Sequence, residues 1–352
     1  MSHAFTASLE CTLEAGCGSP GGAMSRRRQE VVVICGASAG IGRATAVAFA
    51  RRGAKVALLA RGEAGLLGAK AEVEAVGGSA WVQVVDVADA EQVEAAAADI
   101  EAELGAIDIW VNNAMVTVFS PVAQMSAEEY RRVTEVSYLG TVHGTCAALR
   151  YMRARNRGAI VQVGSALAYR AIPLQSAYCG AKFACRGFTD ALRVELMHEH
   201  SRIHLSMVHL SAFNTPQFDW ARTRMPRQPQ PLPPIFQPEV AARGIVWAAY
   251  HRRRELYIGF PAVKAIVGNK LLPGFADWLL CRQAFDGQQG EQPLPADRAD
   301  NLFDPVNRDM GSHGRFDAQA RTHSWQLRWT LHRRGLSIGV LALLLALLWL
   351  WL

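Results

Sequence analysis

Tyr178 and Lys182 stand four residues apart in Tyr178-Cys179-Gly180-Ala181-Lys182. That spacing puts both side chains on one face of a helix. A phenol with an ordinary pKa of about 10 is a poor acid–base at neutral pH. An ammonium beside it favours the phenolate and lowers that value, which is the tuning general acid–base chemistry needs. Ser165 closes an apolar run, Val163-Gly164-Ser165, where its hydroxyl can hold a substrate oxygen near the phenol. A Tyr-x3-Lys pair occurs by chance in many helices. It gains weight from a third feature near the start of the chain, Val31–Arg43, which reads VVVICGASAGIGR.

In that stretch a β-branched run predicts a buried strand, followed by a turn holding Gly36, Gly40 and Gly42 and a helix opening at Ile41. Strand, tight turn and helix form the order a nucleotide phosphate site requires. Glycines admit the pyrophosphate close to the backbone, and a helix N-terminus offers unpaired N–H groups with a partial positive charge. The spacing is G-x-x-x-G-x-G, so it is neither G-x-G-x-x-G nor a P-loop.

From Val31 on, short apolar runs alternate with helical patterns. Strands are predicted over 31–35, 55–60, 80–85, 107–111, 158–164, 202–209 and 255–260. Helices are predicted near 41–52, 63–76, 89–104, 126–154, 176–200 and 238–252. The alternation predicts an α/β fold, a doubly wound parallel sheet with helices on both faces. Its ligands would sit beyond the carboxyl ends of the strands. The second strand ends in Leu58-Leu59-Ala60-Arg61, without the acidic residue that would bind both ribose hydroxyls of NAD. Arg61 instead offers a cationic fork suited to a 2′-phosphate. Asp86 and Val87 follow the third strand, placed to hydrogen-bond and flank an adenine. Asn112-Asn113-Ala114 follow the fourth, where side-chain amides can fix a loop beside the cofactor.

With 352 residues the chain can bury a full core, and one large α/β domain with extensions fits better than two equal domains. The formal charge of +6 and a pI near 9.1 raise nucleic acid as a partner. Scattered Arg residues, with neither zinc-ligand spacing nor an aromatic–basic RNA signature, argue against it and against a metal site. Seven cysteines without C-x-x-C spacing read as reduced thiols of a cytosolic chain. Residues 1–29 lack the apolar run of a signal peptide and read as disordered, or as untranslated if synthesis starts at Met24.

Over roughly residues 30–262 the sequence resembles the short-chain dehydrogenase/reductase family. The matching pieces are Gly36-x3-Gly40-Ile41-Gly42, Asn112-Asn113-Ala114, Ser165 and Tyr178-x3-Lys182, all in family order and spacing. The resemblance implies a Rossmann-type sheet, a nicotinamide cofactor and hydride transfer between its C4 and a carbonyl or alcohol carbon. It makes Tyr178 the acid–base, Lys182 a ligand of the nicotinamide ribose as well, and Ser165 the residue positioning the substrate. The cofactor would lie against Gly36, Ser38, Ala39, Gly40, Ile41, Gly42, Arg61, Asp86, Val87, Asn113, Ala114, Tyr178, Lys182 and Thr215.

Three positions depart from the family pattern. Met115 replaces the glycine that usually follows Asn-Asn-Ala, which predicts a narrower pocket. Ser137 stands where many members carry an Asn that holds a relay water. The Pro-Gly segment after the sixth strand reads Leu210-Ser211-Ala212-Phe213-Asn214-Thr215, leaving Thr215 to contact the nicotinamide amide. Residues 216–238 fall where the family places a substrate lid, with Phe218, Trp220, Met225 and Phe236 as candidate apolar lining. No chemistry can be read from 263–335.

The chain ends in Leu336–Leu352, seventeen uncharged residues spanning about 25 Å as a helix. His332, Arg333 and Arg334 precede it, and Trp349 and Trp351 mark its far end, the pattern of a transmembrane or interfacial helix. The expectation is therefore an NADP(H)-dependent oxidoreductase interconverting a lipophilic carbonyl and alcohol. It would be tethered to a membrane by its C-terminus, with the catalytic domain in the cytoplasm and a homodimer or homotetramer as its assembly. The rival reading is an NADP(H)-binding sensor or scaffold that has lost turnover.

Overall fold

The computed structural model describes residues 28–332. Seven runs pair as one parallel sheet: β1 (Val31–Cys35), β2 (Lys55–Ala60), β3 (Ser79–Val84), β4 (Ile107–Asn112), β5 (Ala159–Ser165), β6 (His204–Leu210) and β7 (Glu255–Ile258). Their order across the sheet is β7-β6-β5-β4-β1-β2-β3. Every residue of β1 is buried, as expected of a central strand covered on both faces, and its VVVIC sequence supplies no polar side chain to either side.

Two apolar layers cover the sheet. On one face Phe49, Leu66, Val73 and Ile245 pack against Val32, Ile34 and Val56. They come from α1 (Gly40–Ala50), α2 (Glu63–Ala75) and a later helix at Pro238–Tyr250. On the other face Val93, Ile100, Leu149, Met152 and Leu192 pack against Val31, Val33 and Trp110. The strand order reverses between β1 and β4, which opens a crevice beyond their carboxyl ends where such sheets bind ligands. This is the Rossmann-like α/β architecture.

The helix predicted over 126–154 is broken. A first segment, Ala127–Thr134, is capped reciprocally by Ser126 and Glu129. It passes through a π-helical turn at Glu135–Leu139 into Gly140–Arg155.

The region after β7, which carried no readable chemistry, is ordered around the crevice. It forms helices at Phe260–Leu271 and Pro273–Gly287, then a strap over roughly 300–323 that returns across the ends of β1 and β2. Arg61 donates to the carbonyls of Asn301 and Phe303 at 2.5 and 2.6 Å. Arg43, 3 % exposed, pairs with Asp309 and Glu72. The Gly40 amide donates to the Gly311 carbonyl at 3.1 Å, and the Phe316 amide to Asn214 Oδ1 at 3.0 Å. Among the described residues no helix is long and apolar enough to cross a membrane. The reading of 1–29 as disordered does not hold at Arg28, which pairs with Asp108; the rest of it, on 1–27, and that of Leu336–Leu352 lie outside the described residues.

Candidate active site

A cavity of about 1240 Å³ opens at the carboxyl ends of the central strands. Gly36, Ser38, Ala39, Gly40, Ile41, Arg61, Asp86, Val87, Asn113, Ala114, Ser165, Tyr178, Lys182 and Thr215 all line it; Gly42 and Ser137 do not.

Gly42 acts from behind the wall. A Cβ there would stand 2.0 Å from the Gly36 carbonyl oxygen and 2.7 Å from Asn113 Nδ2. Asn113 Nδ2 in turn donates to that same carbonyl at 3.0 Å, so the amide fixes the turn as its position after β4 suggests. Gly36 itself sits at φ +79°, a conformation that costs only glycine little. Gly42→Ala should therefore destabilise the fold by about 1–3 kcal/mol, the usual cost of overpacking. Urea unfolding measures this, and an unchanged midpoint would show that the turn can move aside. Asn112 does a different job: its side chain accepts from Trp110 Nε1 at 2.9 Å and donates to Thr145 and Gln162, tying β4 to β5 and to the helix beside them.

Three expectations need correction. The Arg61 fork does not stand free in the cavity; its donors rest on main-chain carbonyls of the strap. Burial lowers its pKa, and neighbouring Arg132 acts in the same direction. Arg132 also bridges the site, donating to the Leu302 carbonyl at 3.1 Å and pairing with Asp86 at 2.5 Å.

Ser137 does not reach the cavity. It is fully buried, accepts from the Val116 amide at 3.1 Å and donates to the Val116 carbonyl at 3.0 Å. Its hydroxyl is spent on holding the loop after β4.

Tyr178 is pushed up rather than down. Removal from water raises its pKa, and the Ser165 hydroxyl beside it opposes that rise. Lys182 Nζ lies 5.6 Å from the Tyr178 ring centroid and donates to the Val163 carbonyl at 2.8 Å. Lys182 is itself 2 % exposed, and burial lowers its pKa. Loss of water around both groups, which no i,i+4 spacing reveals, sets the direction of both shifts.

Behind Ser165 stands a cluster that the sequence reading missed. His209 Nδ1 lies 3.1 Å from the Ser165 carbonyl; since that oxygen only accepts, Nδ1 carries the proton. Its other nitrogen faces Glu255 at 3.8 Å. The Tyr169 and Tyr257 hydroxyls donate to Glu255 at 2.6 and 2.7 Å. Although burial opposes it, these donors and His209 hold the Glu255 carboxyl well below the usual carboxylate range. The cluster fixes the end of β5 against β6 and β7, and with it the Ser165 backbone.

Of the lid residues, Phe218, Trp220 and Phe236 line the cavity, while Met225 packs outside it against Phe119, Phe218 and Phe316. Met115 lines the cavity as well. So do Asn301, Pro305 and Val306 of the strap, which no motif marks.

Residues 30–225 match the model of the short chain dehydrogenase family, and the chain belongs to that family. It is an oxidoreductase of the short-chain dehydrogenase type. An uncharacterized oxidoreductase of Bacillus subtilis, YxnA, is 32% identical over 283 residues, 80% of each chain. The human dehydrogenase/reductase SDR family member 7 is 44% identical over 92 residues, 26% of this chain and 27% of that one. Among solved structures, an alcohol dehydrogenase from the archaeon Thermococcus sibiricus, complexed with 5-hydroxy-NADP, is 26% identical with a TM-score of 0.58. The match covers 65% of this chain and 96% of that one.

Proposed function

We propose that this chain interconverts a carbonyl and an alcohol with NADP(H). The observation that carries the reading is the presence of Ser165, Tyr178 and Lys182 in one cavity with the glycine turn Gly36–Gly42 at its other end. The turn fits a dinucleotide: its glycines let it pack closely against Ala114 and Thr215, and it leads into the N-terminus of α1. No carboxylate ends β2. The Arg61 guanidinium hydrogen-bonds main-chain carbonyls, which a phosphate dianion would outcompete as a charge-assisted partner. The NADP-bound alcohol dehydrogenase of similar fold supports the same choice.

When bound, the nicotinamide supplies a hydride donor or acceptor. The rest belongs to the chain. Tyr178 gives its phenolic proton to the carbonyl oxygen in reduction and takes it back in oxidation. Ser165 holds that oxygen by a hydrogen bond. Lys182, buried beside the ring, stabilises the phenolate while it exists.

Because burial holds the phenol protonated, reduction should be flat across neutral pH and decline only in the alkaline range. Alcohol oxidation, which needs the phenolate, should instead rise with pH through that range. Initial rates in both directions check this, and oxidation that falls as pH rises would remove Tyr178 from the proton path.

Leu210, Phe218, Trp220, Leu272, Phe275 and Leu280 line the cavity, which fits a lipophilic substrate. The uncharged run Leu336–Leu352 fits a membrane tether with the catalytic domain on the cytoplasmic side, and a homodimer or homotetramer fits the family. The deciding experiment follows NADPH absorbance across a panel of carbonyl substrates. Tight NADPH binding without turnover would favour the sensor reading instead, in keeping with a Ser137 hydroxyl committed to Val116.

A further inference from the structure

The helices Phe260–Leu271 and Pro273–Gly287 bury very little of themselves. Only Ala262 and Ile266 of the first and Ala284 of the second are buried. Phe260, Leu271, Leu272, Phe275, Trp278 and Phe285 are exposed, Leu271 at 72 %. Residues 325–332 add Trp325, 69 % exposed, and Trp329. They stand beside the first of the two helices, because Gln326 accepts from the Gly259 amide at 3.0 Å and donates to the Tyr257 carbonyl at 3.1 Å. Exposed apolar side chains grouped in this way mark an interaction surface.

We propose that this face lies on a lipid bilayer and that the cavity opens into it. The proposal rests on the membrane tether above and extends it from the tail to the body of the enzyme. Phe260, Leu272, Phe275 and Trp325 belong both to the exposed face and to the cavity wall, so the face surrounds the mouth.

Its charges suit anionic headgroups. The Arg282 guanidinium sits 4.4 Å from the Trp278 ring centroid and that of Arg328 5.6 Å from Trp325, and Lys264 and Lys270 lie on the first helix. The acids of the second helix, Asp277 and Asp286, are paired with Arg170 and Arg227. Aromatic rings and cations side by side are what a membrane–water interface selects. In sequence, 332 is followed by Arg333 and Arg334 and then by the uncharged run from Leu336 that the proposed tether uses. A second copy fits less well, because a two-fold contact would set Arg282, Arg328 and Lys264 against their own kind.

The test is hydrogen exchange, read by mass spectrometry, on the full chain with and without vesicles of phosphatidylcholine and phosphatidylglycerol. Exchange should slow by about tenfold or more in peptides from 260–287 and 323–332, and stay unchanged in 90–103 and 140–155. The double variant Leu271→Glu, Trp278→Glu touches neither the cavity lining nor the catalytic residues. It should still sediment with vesicles and bind NADPH, yet lose the slowing over 260–287. A wild-type chain that sediments with no slowing there overturns the proposal and leaves the tether standing. Slowing that appears without vesicles and grows with protein concentration overturns it in favour of a second copy. A chain that does not sediment overturns both membrane readings. NADPH binding, measured separately, shows whether the oxidoreductase reading stands.

Discussion

Tyr178→Phe lowers carbonyl turnover by about 10²–10⁴-fold or more, the usual contribution of general acid–base catalysis, and leaves folding and NADPH binding intact. The change deletes one oxygen and keeps the ring, so the packing of the helix Ser176–His198 survives. Ser165 keeps its bond from the Leu167 amide at 3.1 Å, and Lys182 keeps its bond to Val163. The substrate oxygen is still held; what disappears is the proton. Steady-state rates with NADPH, cofactor titration by fluorescence and thermal unfolding separate these effects. Wild-type turnover in the variant would take the acid–base role from Tyr178. Loss of NADPH binding together with turnover would mean that the substitution damaged the site as a whole.

Arg61→Ala weakens NADPH binding by about one to two powers of ten, the loss of a charge-assisted pair worth roughly 1.5–3 kcal/mol. The strap complicates the reading in a useful way. Arg61 also clamps the carbonyls of Asn301 and Phe303, so its removal frees the strap, and that part of the loss falls on NADH and NADPH alike. The difference between the two cofactors isolates the 2′-phosphate. Equal losses would make Arg61 a clamp alone, and a native preference for NADH would exclude the phosphate contact altogether. Isothermal titration of both cofactors, on wild type and variant, gives the comparison.

Much of this protein was legible in its sequence because much of it is local. The seven strand runs, the G-x-x-x-G-x-G turn and the Tyr178–Lys182 pair depend on neighbours a few positions away. A period of two or of 3.6 and a glycine spacing are written in adjacent letters. Residues that follow a parallel strand must meet at one edge of the sheet, which is why Asn113, Ser165 and Thr215 reached the cavity as expected.

Tertiary structure decided whatever depends on distant chain. Arg61 meets Phe303, 242 residues away, and Arg43 meets Asp309, 266 residues away; no local pattern announces either partner. Ser137 turned from the cavity because Val116 lay within reach on both sides of its hydroxyl. The direction of the Tyr178 shift followed from how much water the fold removes around it, which is a property of packing. The stretch after β7 became a wall and a strap for the same reason. Its Asp and Asn residues take on meaning only beside the arginines they were folded against.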